Sequence, residues 1–150
     1  MARTYVDSGV LIFAARGIAP VSDLALPFIT DPAREYVTSD YVRLEVLPKA
    51  IFHNRPAEVQ FYETFFQGNI YCVSPSPDLA RLAMEEACRN GIGGIDALHL
   101  ACAASVGAEE FITSEKSEKP IHRTGLIKVI SIFPTAAAPI EQEAEPGDPQ

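Results

Sequence analysis

The sequence predicts an α/β fold, a central parallel sheet of about five short strands flanked by helices. Two observations carry that expectation. Brief apolar stretches alternate with helix-length amphipathic ones, the pattern of parallel strands joined by helical crossovers. Acids also recur at the ends of the apolar stretches, where an open α/β sheet has its ligand crevice. With 150 residues, 47% of them hydrophobic, the chain can build one well-cored domain and is too short for two. There are no internal repeats.

Each element follows from local chemistry. Arg3 to Val6 is a short strand running into Asp7-Ser8-Gly9, and Gly9 to Arg16 reads as a helix closed by Gly17. Pro20, Pro27 and Pro32 punctuate a loop with room for a short helix between Val21 and Thr30. Tyr36-Val37-Thr38 is the second strand. Ser39 or Asp40 can then cap a helix from Tyr41 to Ala50, with Glu45 in its middle and Pro48 placed to kink or stop it.

Pro56 suits a first helical position, and Val59, Tyr62, Phe65 and Phe66 supply an apolar stripe before Gly68-Asn69. Ile70 to Val73 is the third strand. Ser76-Pro77-Asp78 opens a helix with Leu79, Leu82, Ala83 and Ala87 on one face and a stop at Gly91. Gly91, Gly93 and Gly94 lack a following Lys-Ser/Thr phosphate pattern and read as a turn. A helix with Asp96 in its first turn follows, ending at Gly107. Glu110 to Thr113 is the fourth strand, with Glu115 just beyond it. Ile127 to Ile132, which alternates poorly, is a fifth strand expected to be buried on both faces.

The charge is informative once located. Residues 134–150 carry Glu141, Glu143, Glu145 and Asp148 with no Lys or Arg, which is half of the net −8. That Pro- and Ala-rich stretch reads as a disordered acidic tail beyond a 1–133 domain. The remaining body is not a basic nucleic-acid binder by bulk charge, so a polyanion would need metal ions or a few placed cations. Cys72, Cys88 and Cys102 are expected to be buried thiols of a reducing compartment, without a disulfide or a Cys-x-x-Cys pair. Val10 to Ala15 is far too short to span a membrane, and the reading is a cytoplasmic protein.

Asp7, Asp96 and Glu115 stand at strand ends or a helix start that converge on one sheet edge, and Glu45 can point into the same crevice. Four carboxylates in one cleft repel one another unless cations hold them together, and all-oxygen ligands suit Mg²⁺ or Mn²⁺. Ser8 is either a helix cap or a hydroxyl beside these acids. His99, three residues after Asp96 on the same side of its helix, could touch substrate or orient the carboxylate, and reads first as a partly exposed structural histidine. Lys116, Lys119, His122 and Arg123 cluster near the acids and are candidates for phosphate contacts.

Four stretches in order, Tyr-Val-Asp-Ser-Gly-Val-Leu-Ile (5–12), Thr-Ser-Asp-Tyr-Val-Arg-Leu-Glu-Val-Leu (38–47), Ile-Asp-Ala-Leu-His-Leu-Ala (95–101) and Phe-Ile-Thr-Ser-Glu (111–115), resemble the PIN-domain ribonucleases, with the single-domain VapC-type toxins nearest in size. The resemblance spans residues 3–133. It implies a PIN-like three-layer fold and hydrolysis of RNA phosphodiesters with Mg²⁺ or Mn²⁺. Asp7, Glu45, Asp96 and Glu115 would be the catalytic metal ligands, and Ser8 and Thr113 would be hydroxyls beside them. Independently of the resemblance, Lys116, Lys119 and Arg123, with Ser8, are the candidates for substrate contact. Glu115 departs from the pattern, since the family usually has Asp there. The implied partners are RNA and a small antitoxin, with room for a homodimer and none for a membrane. The alternatives are a degenerate PIN domain that binds RNA or protein without cleaving, and an aspartyl-phosphate phosphotransferase, which wants a second acid where Gly9 stands.

Overall fold

The computed structural model describes residues 1–135; the acidic-tail expectation for 134–150 falls almost wholly outside the described residues. Among the described residues five strands and six helices follow in the order β1 (Ala2–Val6), α1 (Ser8–Arg16), α2 (Val21–Ile29), β2 (Arg34–Ser39), α3 (Asp40–Phe52), α4 (Pro56–Gln67), β3 (Tyr71–Val73), α5 (Pro77–Asn90), α6 (Gly94–Ser105), β4 (Glu110–Thr113) and β5 (Lys128–Ser131). A 3₁₀ turn, Pro120–Arg123, precedes β5. The strands form one sheet in the order β3-β2-β1-β4-β5, and every pairing is parallel. This is the parallel α/β architecture of about five strands expected from the sequence.

β1 is the central strand, and Thr4, Tyr5 and Val6 are all fully buried. That double-sided burial is what a parallel strand covered on both faces requires. Around it Val10, Leu11, Val37, Val42, Leu100, Phe111 and Ile112 close one continuous core. Tyr5 stacks on Phe111 across the β1–β4 pair, with ring centroids 5.3 Å apart.

Several expectations need correction. α1 begins at Ser8, because Asp7 supplies its cap. α3 runs through Pro48 to Phe52, since the carbonyl that Pro48 leaves unpaired belongs to Leu44, which is 68% exposed, so water can satisfy it. Likewise α2 contains Pro27. β5 is an edge strand, exposed at Lys128 and half-buried elsewhere, so it is not covered on both faces. Of the three thiols only Cys102 is buried; Cys72 and Cys88 are exposed. Among the described residues no single helix is long and apolar enough to cross a membrane.

Candidate active site

β1 pairs with β2 on one side and β4 on the other, so the strand order reverses beside β1 and opens a crevice at the carboxyl ends of β1 and β4. Asp7 stands at that point. Its backbone N–H donates to Ile112 O at 2.9 Å, which fixes it to β4. Its side chain caps α1, Oδ1 accepting from Ser8 N at 2.8 Å, and Thr113 Oγ1 donates to Oδ2 at 3.3 Å. The carboxylate therefore sits at the positive end of α1's peptide dipoles. Ser8 is not the cap. Its hydroxyl lies between Asp7 Oδ1, at 3.4 Å, and Glu45 Oε1, to which it donates.

Gly9 makes this approach of α1 to β4 sterically open. A Cβ at that position would stand 2.3 Å from Ser114 Oγ. The Asp-Ser-Gly sequence thus combines an acid, a hydroxyl and the one side chain small enough to bring the end of β4 alongside.

Glu45 reaches the crevice from the middle of α3. Its Oε1 accepts from Ser8 Oγ and from His99 Nε2, the latter at 2.7 Å. His99 is 1% exposed, which corrects the expectation of a partly exposed residue. Its other nitrogen, Nδ1, is 2.8 Å from the Tyr5 hydroxyl, and that hydroxyl is 2.7 Å from Ser39 Oγ. Ser39 in turn caps α3, accepting from Val42 N. One ligand atom from each of Asp7, Glu45 and His99 can be chosen so that all lie within 4.8 Å of one another.

Asp96 and Glu115 stand beside this group. Asp96 lies in the first turn of α6 and is half-buried; Glu115 follows β4, its backbone N–H donating to Thr113 Oγ1 at 3.1 Å. Burial, and then the charges of Asp7 and Glu115, push the Asp96 carboxyl up to about 6. Asp7 is also raised, chiefly by burial. Glu45 is lowered, first by its hydrogen bond to His99. For His99, burial alone would pull the imidazole down, but the Glu45 hydrogen bond and the charges of Asp7, Glu45 and Asp96 outweigh it and the net shift is upward. The cleft is an over-full set of negative charges with one imidazole inside it. An oxygen-rich set of that kind suits a hard divalent cation, which would relieve the repulsion that raises Asp96.

The structure therefore brings Asp7 and Glu45 together around the Ser8 hydroxyl, with Asp96 coupled by charge to Asp7 and Glu45, and Glu115 to Asp96. The cations are more dispersed. Lys116 and Lys119 are exposed, Lys116 lying 5.7 Å from the Phe133 ring centroid. Arg123 is committed elsewhere, donating to Asn90 O at 2.9 Å, and His122 Nε2 donates to Glu115 O at 3.0 Å. Sequence reasoning missed Tyr5 and undervalued His99. A signal existed for both. Tyr5 stands two residues, one strand period, before Asp7, and His99 lies one helical turn from Asp96.

A family model described as the PIN domain matches residues 4–119. Among solved structures the chain is similar to DNA-bound VapBC from Salmonella typhimurium, with a TM-score of 0.65 and 17% identity, covering 89% of this chain and 100% of that one. It is similar to a toxin–antitoxin complex from Klebsiella pneumoniae, with a TM-score of 0.65 and 18% identity over 87% of this chain and 98% of that one. A third likeness is to VapBC2 from Rickettsia felis bound to a promoter DNA fragment, with a TM-score of 0.63 and 12% identity over 86% and 98%. At these identities the likeness is one of fold. No curated protein matches.

Proposed function

The chain belongs to the PIN-domain family, and from that premise we propose that it is a metal-dependent endoribonuclease, the toxin of a toxin–antitoxin pair, acting in the cytoplasm. The observation that carries the reading is the meeting of Asp7, Glu45 and His99 at the carboxyl edge of the sheet, with Asp96 charge-coupled to all three and Glu115 to Asp96. Asp7, Glu45 and Asp96 would hold Mg²⁺ or Mn²⁺, and Glu115 would add a fourth carboxylate. A divalent cation supplies hydroxide near neutral pH by acidifying bound water and polarises phosphoryl oxygens.

The chain's own side chains do the rest. Thr113 and the α1 terminus hold Asp7 in place, and Ser8 and His99 hold Glu45. Lys116 and Lys119 are the exposed cations nearest in sequence to Glu115 and would contact the RNA backbone. The structural neighbours include toxin–antitoxin complexes, which supports a small protein antitoxin as partner. The testing experiment is cleavage of single-stranded or looped RNA by the full chain. Activity should require Mg²⁺ or Mn²⁺ and vanish in EDTA; RNA binding without cleavage would instead mark a degenerate PIN domain.

A further inference from the structure

Glu45 is the one carboxylate of the cleft that two side-chain donors grip at the same oxygen. Ser8 Oγ and His99 Nε2 both reach Oε1, while among the described residues no donor reaches Oε2. The His99 contact continues inward. Nδ1 meets Tyr5 Oη, and Tyr5 Oη meets Ser39 Oγ, which already accepts the α3 cap bond from Val42 N. Tyr5, Ser39 and His99 are each no more than 1% exposed, so no water competes for these bonds.

The donor logic fixes what His99 does. A carboxylate oxygen only accepts, so the 2.7 Å contact requires a proton on Nε2. With Nδ1 occupied by the Tyr5 hydroxyl, neither ring nitrogen offers a lone pair to the cleft. His99 lies within reach of a metal position shared by Asp7 and Glu45, yet it is turned to serve Glu45.

We propose that His99 and Tyr5 are positioning residues: the Ser39–Tyr5–His99 chain locks Glu45 Oε1 and so presents Oε2 to the cation, and His99 itself is not a ligand. This rests on the metal-nuclease reading above and deepens it. Tyr5 acts only through His99. The chain also ties the α3 cap and the central strand to the cleft, so three elements set the aim of one carboxylate. Partners that orient a metal ligand are typically worth about 10- to 100-fold in metal affinity.

The test is Mn²⁺ binding by calorimetry to the full-length wild type, His99→Ala, Tyr5→Phe and the double variant. Tyr5→Phe keeps the ring that stacks on Phe111. His99→Ala should weaken Mn²⁺ about tenfold or more and Tyr5→Phe by a smaller factor. The double variant should be no weaker than His99→Ala, since Tyr5 then has nothing to act through. Additive losses, or unchanged affinity in both single variants, would overturn the proposal while leaving the metal site standing. A wild type that binds no Mn²⁺ would overturn the nuclease reading itself. Imidazole ¹⁵N spectra of the wild type give a check that needs no variant. On saturation with Mg²⁺, Nε2 of His99 should keep its proton, and its loss would make His99 a ligand and overturn the assignment.

Discussion

His99 Nε2 lies 2.7 Å from Glu45 Oε1, which joins α6 to α3 across the mouth of the cleft. Neither residue is near the other in sequence, and each reaches the site from the middle of a helix. The contact holds a buried imidazole against a half-exposed acid, and it is the chief cause of the lowered Glu45 pKa.

The metal-free protein should lose stability as pH rises from about 4 towards 8. Asp7 and Asp96 are raised, Asp96 to about 6 from 3.8, and His99 is raised from 6.5. In that window the folded state binds more protons than the unfolded one, so the slope of stability with pH is negative. The lowered pKa of Glu45 acts in the opposite sense, but below 4.5. Thermal midpoints in EDTA should be higher at pH 5 than at pH 7.5, and Mn²⁺ should raise the midpoint more at pH 7.5. A midpoint that climbs between pH 5 and 7.5 in EDTA would contradict the shifts.

Asp7→Asn and Asp96→Asn should each reduce RNA cleavage by more than about 100-fold. Asn is an equally good helix cap, so Asp7→Asn keeps the bond from Ser8 N while removing a buried charge. The metal-free midpoint of either variant should match or exceed the wild type. Retained cleavage in a purified variant would remove that residue from the site.

Glu115 is coupled by charge to Asp96, and its backbone is tied to Thr113. If its carboxylate binds metal, Glu115→Asp shortens the reach and should shift the Mn²⁺ dependence of cleavage by about tenfold, or 1.4 kcal/mol. Glu115→Gln should cost more and recover in part at high Mn²⁺. Titrations of both variants that overlay the wild type would leave a centre of Asp7, Glu45 and Asp96.

How much of this was legible in the sequence differs between fold and site. The order of strands and helices could be read because Gly17, Gly91, Ser39 and Ser76 mark helix ends by chemistry that acts within a few residues. The run of α3 through Pro48 could not, because it depends on the exposure of the turn around Leu44, a tertiary property. At the site, Asp7, Glu45, Asp96 and Glu115 could be placed at one edge from their positions on elements. The partnership of Tyr5, Ser39 and His99 joins residues up to 94 positions apart; the parallel β1–β2 pairing sets Tyr5 near Ser39, and the packing of α6 over the sheet brings His99 to them. The same limit misjudged the burial of Cys72 and Cys88, since an apolar neighbourhood in sequence does not say which side of a helix or strand is covered.

Glu86 should be a stability residue away from the chemistry. It is 1% exposed, and its Oε2 accepts from Thr124 Oγ1 at 2.6 Å, Asn90 Nδ2 at 2.8 Å and Gly125 N at 3.3 Å. Glu86→Ala strands these donors and opens the join between α5 and the loop before β5. It should cost about 3 kcal/mol in urea denaturation, against a smaller loss for Glu86→Gln, which keeps an acceptor. Equal, small losses in both would show that the loop is held by other contacts.

The carboxylates of Asp7, Glu45 and Asp96 are expected to hold a divalent cation at the carboxyl edge of the sheet. A crystal soaked in Mn²⁺, with anomalous data collected near the manganese edge, tests it most directly. An anomalous peak should stand about 2.2 Å from oxygens of Asp7, Glu45 and Asp96, within the usual range for hard-cation ligands. Glu45 should ligate through Oε2 while Oε1 stays on His99. A cleft without anomalous density at saturating Mn²⁺, or a peak bound only at unrelated surface acids, would contradict it.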